Sequence, residues 1–182
     1  FPKTKFNIDV IRERLETTSY LHRGLRITLN DEIAKTKQFF QHEEGLAAYL
    51  ASILAERRAK PAHDKPFILE RDSDDAGTRL QIVLQWTEST DEHLRSYVNG
   101  IPTASGGSHE NGFRAGLGKA VRNYVETHKL TPKGVSVTSE DLREGLTGVL
   151  SVFIKEPQFQ GQTKDRLNNP EVQQYVDATL RP

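Results

Sequence analysis

Gly145-Leu146-Thr147-Gly148-Val149-Leu150-Ser151-Val152-Phe153-Ile154 is nearly continuous in apolar and β-branched residues. A strand with one wet face alternates polar and apolar positions, so a run without alternation suits a strand buried on both faces. Such a strand needs neighbouring strands and helices packed on the sheet. Upstream, Arg143-Glu144 forms a charged turn into the run, and Thr138 and Asp141 have the spacing of a capping box, which predicts a short helical turn. Before these lies a helix with Phe113, Leu117, Ala120, Val121, Tyr124 and Val125 on one face. It is entered from the glycine-rich loop Ala104 to Ser108, with Ser108 as its expected cap.

Further upstream, His93 to Asn99 is a strand candidate. Phe67-Ile68-Leu69 and the alternating set Leu80, Ile82, Leu84 and Trp86 flank Asp74-Asp75-Ala76-Gly77, which predicts a hairpin. Leu46, Tyr49, Leu50, Ile53, Leu54 and Arg57 make the stripe of a core-facing helix that Pro61 closes. Ile8, Ile11 and Leu15 define a first helix capped by Asn7 and ended by Gly24. Leu25, Ile27 and Leu29 then alternate up to a turn at Asn30-Asp31, and the returning strand is expected over Lys37 to Gln41 with Phe39 inward. After the buried strand, Glu156 to Lys164 reads as a loop. Asn169-Pro170 then opens a helix with Val172, Tyr175, Val176 and Leu180 on one stripe. That stripe is still running where the sequence stops, and the chain contains no methionine, so an excised piece of a longer protein is expected. The fold class is α/β (α+β, two-layer), with helices packed on a sheet.

Composition narrows the function. The chain has 182 residues, 35% hydrophobic and 27% charged, which fits one globular domain. There is no apolar run near the roughly 18 residues of a membrane span, and Phe1 to Lys5 lacks the apolar core of a secretory signal. Cysteine is absent, which excludes disulfides and thiolate metal sites and is compatible with the cytoplasm. Lys and Arg (25) balance Asp and Glu (25), whereas a dedicated DNA-binding domain carries a basic excess.

Complete catalytic constellations are missing. The histidines at 22, 42, 63, 93, 109 and 128 include no i, i+4 pair, so no metal site is expected. There is no G-x-S-x-G elbow and no G-x-x-x-x-G-K-[ST] phosphate loop. Asp74 and Asp75 fall in a turn, where carboxylates cap their own backbone. Three stretches remain. Ser96 to Thr103 followed by Gly106 to Arg114 leads glycines into a helix N-terminus, which can attract an anion or simply connect a strand to a helix. Arg143 to Thr147 is a charged turn. Glu156 to Lys164 sets Gln162 and Lys164 two residues apart on a loop tip, where a neutral donor and a point charge can reach a phosphate or can simply be solvated.

Together, SYVNGIPTASGGSHENGFR and REGLTGVLSVFIKEPQFQGQTK resemble the transducer domain of bacterial type II DNA topoisomerase B subunits, in particular those of the DNA gyrase type. That family shows FVNNINTxxGGTHxxGFR and REGLxAVxSVKxPxPxFxGQTK in the same order, and the likeness spans essentially the whole chain. Ser108 stands where Thr is usual, and Phe153-Ile154 where a basic residue with an aliphatic one is common. The resemblance implies a fold like the second domain of ribosomal protein S-five, with a left-handed βαβ crossover. It implies a transducer domain over residues 1–168 and, over 169–182, the start of a long helix leading toward a TOPRIM domain. In such proteins ATP and Mg²⁺ are held mainly by a preceding GHKL ATPase domain. Lys164 would be the catalytic contact to the γ-phosphate, with Gln162 assisting, and Arg114 would touch a DNA duplex. A gyrase A subunit would complete a heterotetramer of two A and two B subunits in the cytoplasm, and this stretch alone would not be catalytic. Topoisomerase IV remains an alternative, as does a stand-alone ribosomal-type nucleic-acid-binding domain. The lysine at the loop tip and the zero net charge speak against the latter.

Overall fold

A computed structural model describes residues 6–73, 77–131 and 134–181. Residues 1–5, and Asp74, Asp75 and Ala76 of the expected turn, lie outside the described residues. The apolar run after Gly145 forms β7 (Leu146–Phe153), at the centre of a five-stranded sheet. β3 (Phe67–Ser73) and β4 (Thr78–Trp86) form the expected hairpin, and β5 (His93–Val98) is followed by the two-residue β6 (Ile101–Pro102). The order is β3-β4-β7-β5-β6. All pairings are antiparallel except β5 with β7, which are parallel and joined through helix α3 (Ser108–Thr127).

Period-2 geometry sends alternate residues of each strand to opposite faces. Leu80, Ile82 and Leu84 of β4 and Leu146, Leu150 and Val152 of β7 pack with Phe113 and Leu117 of α3 and with Val172 and Val176 of α4 (Pro170–Thr179). Val83, Tyr97 and Val149 face the other way, onto Tyr49, Leu50 and Ile53 of α2 (Leu46–Arg57). The expected class, helices packed on a mixed sheet, is observed, and helices cover both faces, which adds a layer to the two expected. Two-sided burial of the central strands requires this, because each apolar face must be sealed from water. β4 shares the two-sided burial, so its alternating set does not mark an exposed face.

The first helix, α1 (Ile8–Leu21), is capped as expected, the Asn7 side chain accepting from the N–H groups of Asp9 and Val10. β1 (Ile27–Asp31) and β2 (Thr36–Phe40) form a separate two-stranded sheet. Two expectations fail here. The turn follows Asp31, whose carboxylate accepts from the N–H groups of Ile33 and Ala34. The register is also shifted by one residue, so Phe40 is buried and Phe39 is 52% exposed. Arg26 and Lys37 lie over the Phe39 ring and shield it.

α3 and α4 approach through glycines. A Cβ on Gly112 would lie 2.4 Å from the Gln173 carbonyl oxygen, and one on Gly116 would lie 2.9 Å from that of Asp177. Two expected caps are not made. Ser108 is already helical, with its hydroxyl buried and without a partner among the described residues. Asn169 turns away from α4's backbone: its Oδ1 accepts from Gln158 N–H, and its amide donates to the Glu156 carbonyl. The Thr138–Asp141 capping box is present, with bonds of 2.8 and 3.2 Å, and it starts the 3-10 turn Asp141–Arg143.

His109, in the first turn of α3, is wholly buried, its Nε2 2.9 Å from the Thr103 hydroxyl. Burial, aided by the charge of Arg114, lowers its pKa to about 4. A histidine lowered on folding binds fewer protons native than unfolded. Its contribution is therefore complete above the unfolded value of 6.5 and is lost as pH falls through about 4. Chemical denaturation between pH 7 and pH 4 should show a loss of up to about 3 kcal/mol from this group, and His109→Gln should flatten that slope. Gly112→Ala should lower stability by about 2 kcal/mol or more through the clash with Gln173. Gly118→Ala, where nothing lies within 4 Å of the added Cβ, should raise the melting temperature slightly.

Candidate functional site

The segment from Ile154 to Asn169 joins β7 to α4 and folds back on itself. Gln160 N–H donates to the Arg166 carbonyl at 2.9 Å, and Asn168 N–H to that of Gln158 at 2.8 Å. Leu167 also pairs sideways with the glycine turn before α3: its N–H donates to Gly106 O at 3.1 Å, and Ser108 N–H donates to Leu167 O at 3.0 Å. Ser105 N–H reaches Asp165 O, and the Arg166 guanidinium reaches Ser105 O. The base is thus held on both sides, and Gly161-Gln162-Thr163-Lys164 stands exposed at the apex.

Gly161 and Lys164 both take left-handed backbone angles, φ of 78° and 59°. For lysine that conformation costs energy, and the pinned base sustains it. Among the described residues no hydrogen bond or ion pair engages the side chains of Gln162 or Lys164. The Lys164 ammonium lies 5.9 Å from the centroid of the Phe159 ring. That is the outer limit of a cation–π contact, weak at an exposed site, so the ammonium is parked rather than locked.

Arg114 is held more firmly. Its Nε donates to Glu92 at 2.9 Å and its Nη1 is ion-paired with Glu110 at 3.0 Å, while the other Glu92 oxygen accepts from Arg143 Nε at 3.0 Å. Burial alone would lower the pKa of Arg114, but the hydrogen bond and charge of Glu92, joined by Glu110, outweigh it and raise the value. Glu110 in turn accepts from the Ser96 hydroxyl at 2.5 Å, and Ser96 lies 2.6 Å from the Thr103 hydroxyl. Sequence reasoning singled out the stretches that hold Glu110 and Arg143 without pairing either with an arginine or a carboxylate, and it missed Glu92. Only the i, i+4 spacing of Glu110 and Arg114 could have announced a pair; Glu92 and Arg143 come from distant segments.

The glycine turn does not serve as an anion cradle. Ser108 N–H is taken by Leu167, and the Glu110 carboxylate already brings negative charge to the first turn of α3. Arg114 and Lys164 make no direct bond among the described residues, and the connection between them runs through Gly106 and Glu110. A cavity of about 650 Å³ opens elsewhere, lined by apolar groups such as Phe67, Leu69, Trp86, Val121 and Leu180. Neither expected contact lines it. Among the described residues no cluster of His, Asp and Glu is arranged for a metal.

The family model described as DNA gyrase B matches residues 45–182. The DNA gyrase B protein of Archaeoglobus fulgidus is 39% identical over 180 residues, which is 99% of this chain and 27% of that protein. Its counterpart in Thermotoga maritima is 33% identical over 186 residues, covering 100% of this chain and 29% of that protein. The chain thus spans between a quarter and a third of the length of these relatives. Among solved structures, the 43K ATPase domain of Thermus thermophilus gyrase B superposes with a TM-score of 0.86 at 27% identity, over 99% of this chain and 48% of that one. The topoisomerase IV ATP-binding domain of Francisella tularensis gives 0.82 at 33% identity, over 100% and 48%. The ATPase region of Saccharomyces cerevisiae topoisomerase II, at 17% identity and a TM-score of 0.60, shares the fold. With a family model matching residues 45–182 and a relative 39% identical over 99% of its length, this chain belongs to the DNA gyrase B family.

Proposed function

We propose that the chain is the transducer module of an ATP-hydrolysing type II DNA topoisomerase of the gyrase type, coupling ATP binding and hydrolysis in a neighbouring GHKL domain to DNA strand passage and supercoiling. The observation that carries this reading is the loop apex: an exposed amide and an exposed ammonium, otherwise unengaged among the described residues, on a base pinned at both sides. A group that must meet a phosphate on another domain needs a rigid mount and a free head, and Gln162 and Lys164 have both. In phosphoryl transfer the protein contributes position and charge stabilisation, and a lysine at the γ-phosphate supplies both. Once the γ-phosphate leaves, that contact is lost, and the loop is released from its neighbour.

The other assignments extend the same reading. ATP is the substrate of the whole protein, and Mg²⁺ and most of the nucleotide contacts belong to the ATPase domain. Residues 1–168 form the transducer, and 169–182 begin the helix toward the TOPRIM domain. Gyrase A completes the cytoplasmic heterotetramer. Arg114 supplies a phosphate contact to the duplex that carries no sequence information. Its partly exposed guanidinium must share itself between Glu92, Glu110 and that phosphate. Because a topoisomerase IV structure matches almost as well as the gyrase one, the product separates the two: negative supercoiling with the gyrase A partner supports gyrase, and relaxation or decatenation alone supports topoisomerase IV.

In the full-length protein, Lys164→Ala should lower ATP turnover by about 100-fold, the typical loss of a preorganised charge-stabilising donor. The melting temperature should change little, because the side chain is exposed. An unchanged turnover number in a coupled ATPase assay would remove the assigned role. Arg114→Gln should weaken DNA binding and reduce the slope of log affinity against log salt by about one. Equal slopes for variant and wild type, measured by anisotropy across a salt series, would count against the DNA contact.

A further inference from the structure

Glu110 is singular among the described carboxylates. It is 11% exposed as a side chain, and three separate elements converge on it. From β5, Ser96 donates at 2.5 Å. From one turn later in α3, the Arg114 guanidinium is ion-paired with it at 3.0 Å. From the glycine turn, Gly106 packs so closely that a Cβ there would lie 2.9 Å from Oε2. Gly106 is also the residue whose carbonyl accepts the Leu167 N–H at the foot of the Lys164 loop. We propose that Glu110 is a positioning residue that ties the placement of the Lys164 loop to that of Arg114, so that nucleotide contact at one is felt at the other. This rests on the reading of Lys164 as a nucleotide contact and Arg114 as a DNA contact.

Three groups fix the geometry. Ser96 is anchored in the sheet, and its partner Thr103 is bonded to buried His109. Each hydroxyl carries one proton. With His109 neutral and protonated at Nε2, donation runs in one direction, from His109 to Thr103, to Ser96, to the Glu110 carboxylate. That chain fixes one carboxylate oxygen against the core. The other oxygen faces Arg114 and the Gly106 backbone, and Gly106 moves with Leu167 because they share a ladder bond. A shift of the loop base presses on Oε2 or withdraws from it. Because charge-assisted bonds are steep in distance and angle, Glu110 then tightens or loosens its hold on Nη1 of Arg114. Glu92 retains the opposite edge of the same guanidinium, and Arg143 anchors Glu92. Loop position therefore changes how freely Arg114 turns toward a phosphate.

The test uses the full-length protein with its gyrase A partner and linear DNA. Glu110→Gln keeps size and hydrogen bonding to Ser96 but removes the charge that holds Arg114. DNA-free ATP turnover should stay within about twofold of wild type, while DNA affinity should rise because Arg114 is released toward phosphate. The stimulation of turnover by DNA should fall about tenfold, within the range that coupling residues modulate. In parallel, amide exchange over residues 158–168 should slow when DNA is added to wild type bound to a non-hydrolysable ATP analogue, and should not respond in Glu110→Gln. Ser96→Ala, which deletes only the anchoring hydroxyl, should reduce both effects in part and covers the case in which Glu110→Gln does not fold. Undiminished stimulation with an undiminished exchange response in the variants, or an equal fall in DNA-free and DNA-stimulated turnover, overturns the proposal. Failure of the underlying reading is distinct: Lys164→Ala would then leave turnover untouched.

Discussion

Two backbone hydrogen bonds between Leu167 and the Gly106–Ser108 turn hold together the half of the molecule that carries the candidate site. They form because Gly107 has no side chain: at its φ of 137°, a Cβ would lie 2.3 Å from the Leu167 carbonyl oxygen. Everything nearby is arranged around this approach. It seats the N-terminus of α3, sets the foot of the Lys164 loop and leads directly into α4. α4 then lies against Gly112 and Gly116, one and two turns along α3. A backbone joined in this way cannot be moved at one point without moving the others. That is the property a coupling element needs.

The stretch GGSHENGFR therefore has an architectural meaning at almost every position. Gly106 and Gly107 admit the loop strand, His109 fills the core, Glu110 collects donors from two elements, Gly112 admits α4, Phe113 is wholly buried, and Arg114 reaches the acidic pair. A glycine-rich entry to a helix suggests an anion site on general grounds. Here the Ser108 N–H is taken by Leu167 and the Glu110 carboxylate meets the dipole from within the chain, which favours the plainer alternative, a strand-to-helix connection. The apex of the other loop instead presents Lys164 as an exposed point charge, the group on which the proposed phosphate contact rests.

Periodicity made the large elements legible, because burial writes itself into sequence. The unbroken apolar run of β7, the α2 stripe and the Asn7 cap all follow from local rules, and all are found. Failures fall where two local options have nearly equal energy. Phe39 and Phe40 are adjacent aromatics, and a one-residue slip decides which faces inward. Ser108 and Asn169 are good caps by type, but Asn169 bonds better with the chain next to it, while Ser108 sits one position inside the helix. Of the site, Gln162 and Lys164 were legible as a donor and a point charge on a loop tip, and Arg114 only as a motif residue. The groups around Arg114 were not, since Glu92 and Arg143 meet it only after β5 and β7 have paired.

The ion pairs around Arg114 bear on how a chain with no net charge could make the proposed DNA contact. A freely exposed arginine would attract phosphate at all times and signal nothing. One held by Glu92 and Glu110 binds phosphate only to the extent that the new contact exceeds what is given up, so its affinity depends on how well the acids are placed. A ligand shifts an equilibrium only by the difference in its affinity for the two states. Balanced carboxylates create that difference: acids drawn close weaken the DNA contact, and acids displaced strengthen it. On the proposed reading, balanced charge at this site is what lets the strength of that contact be set from elsewhere in the fold.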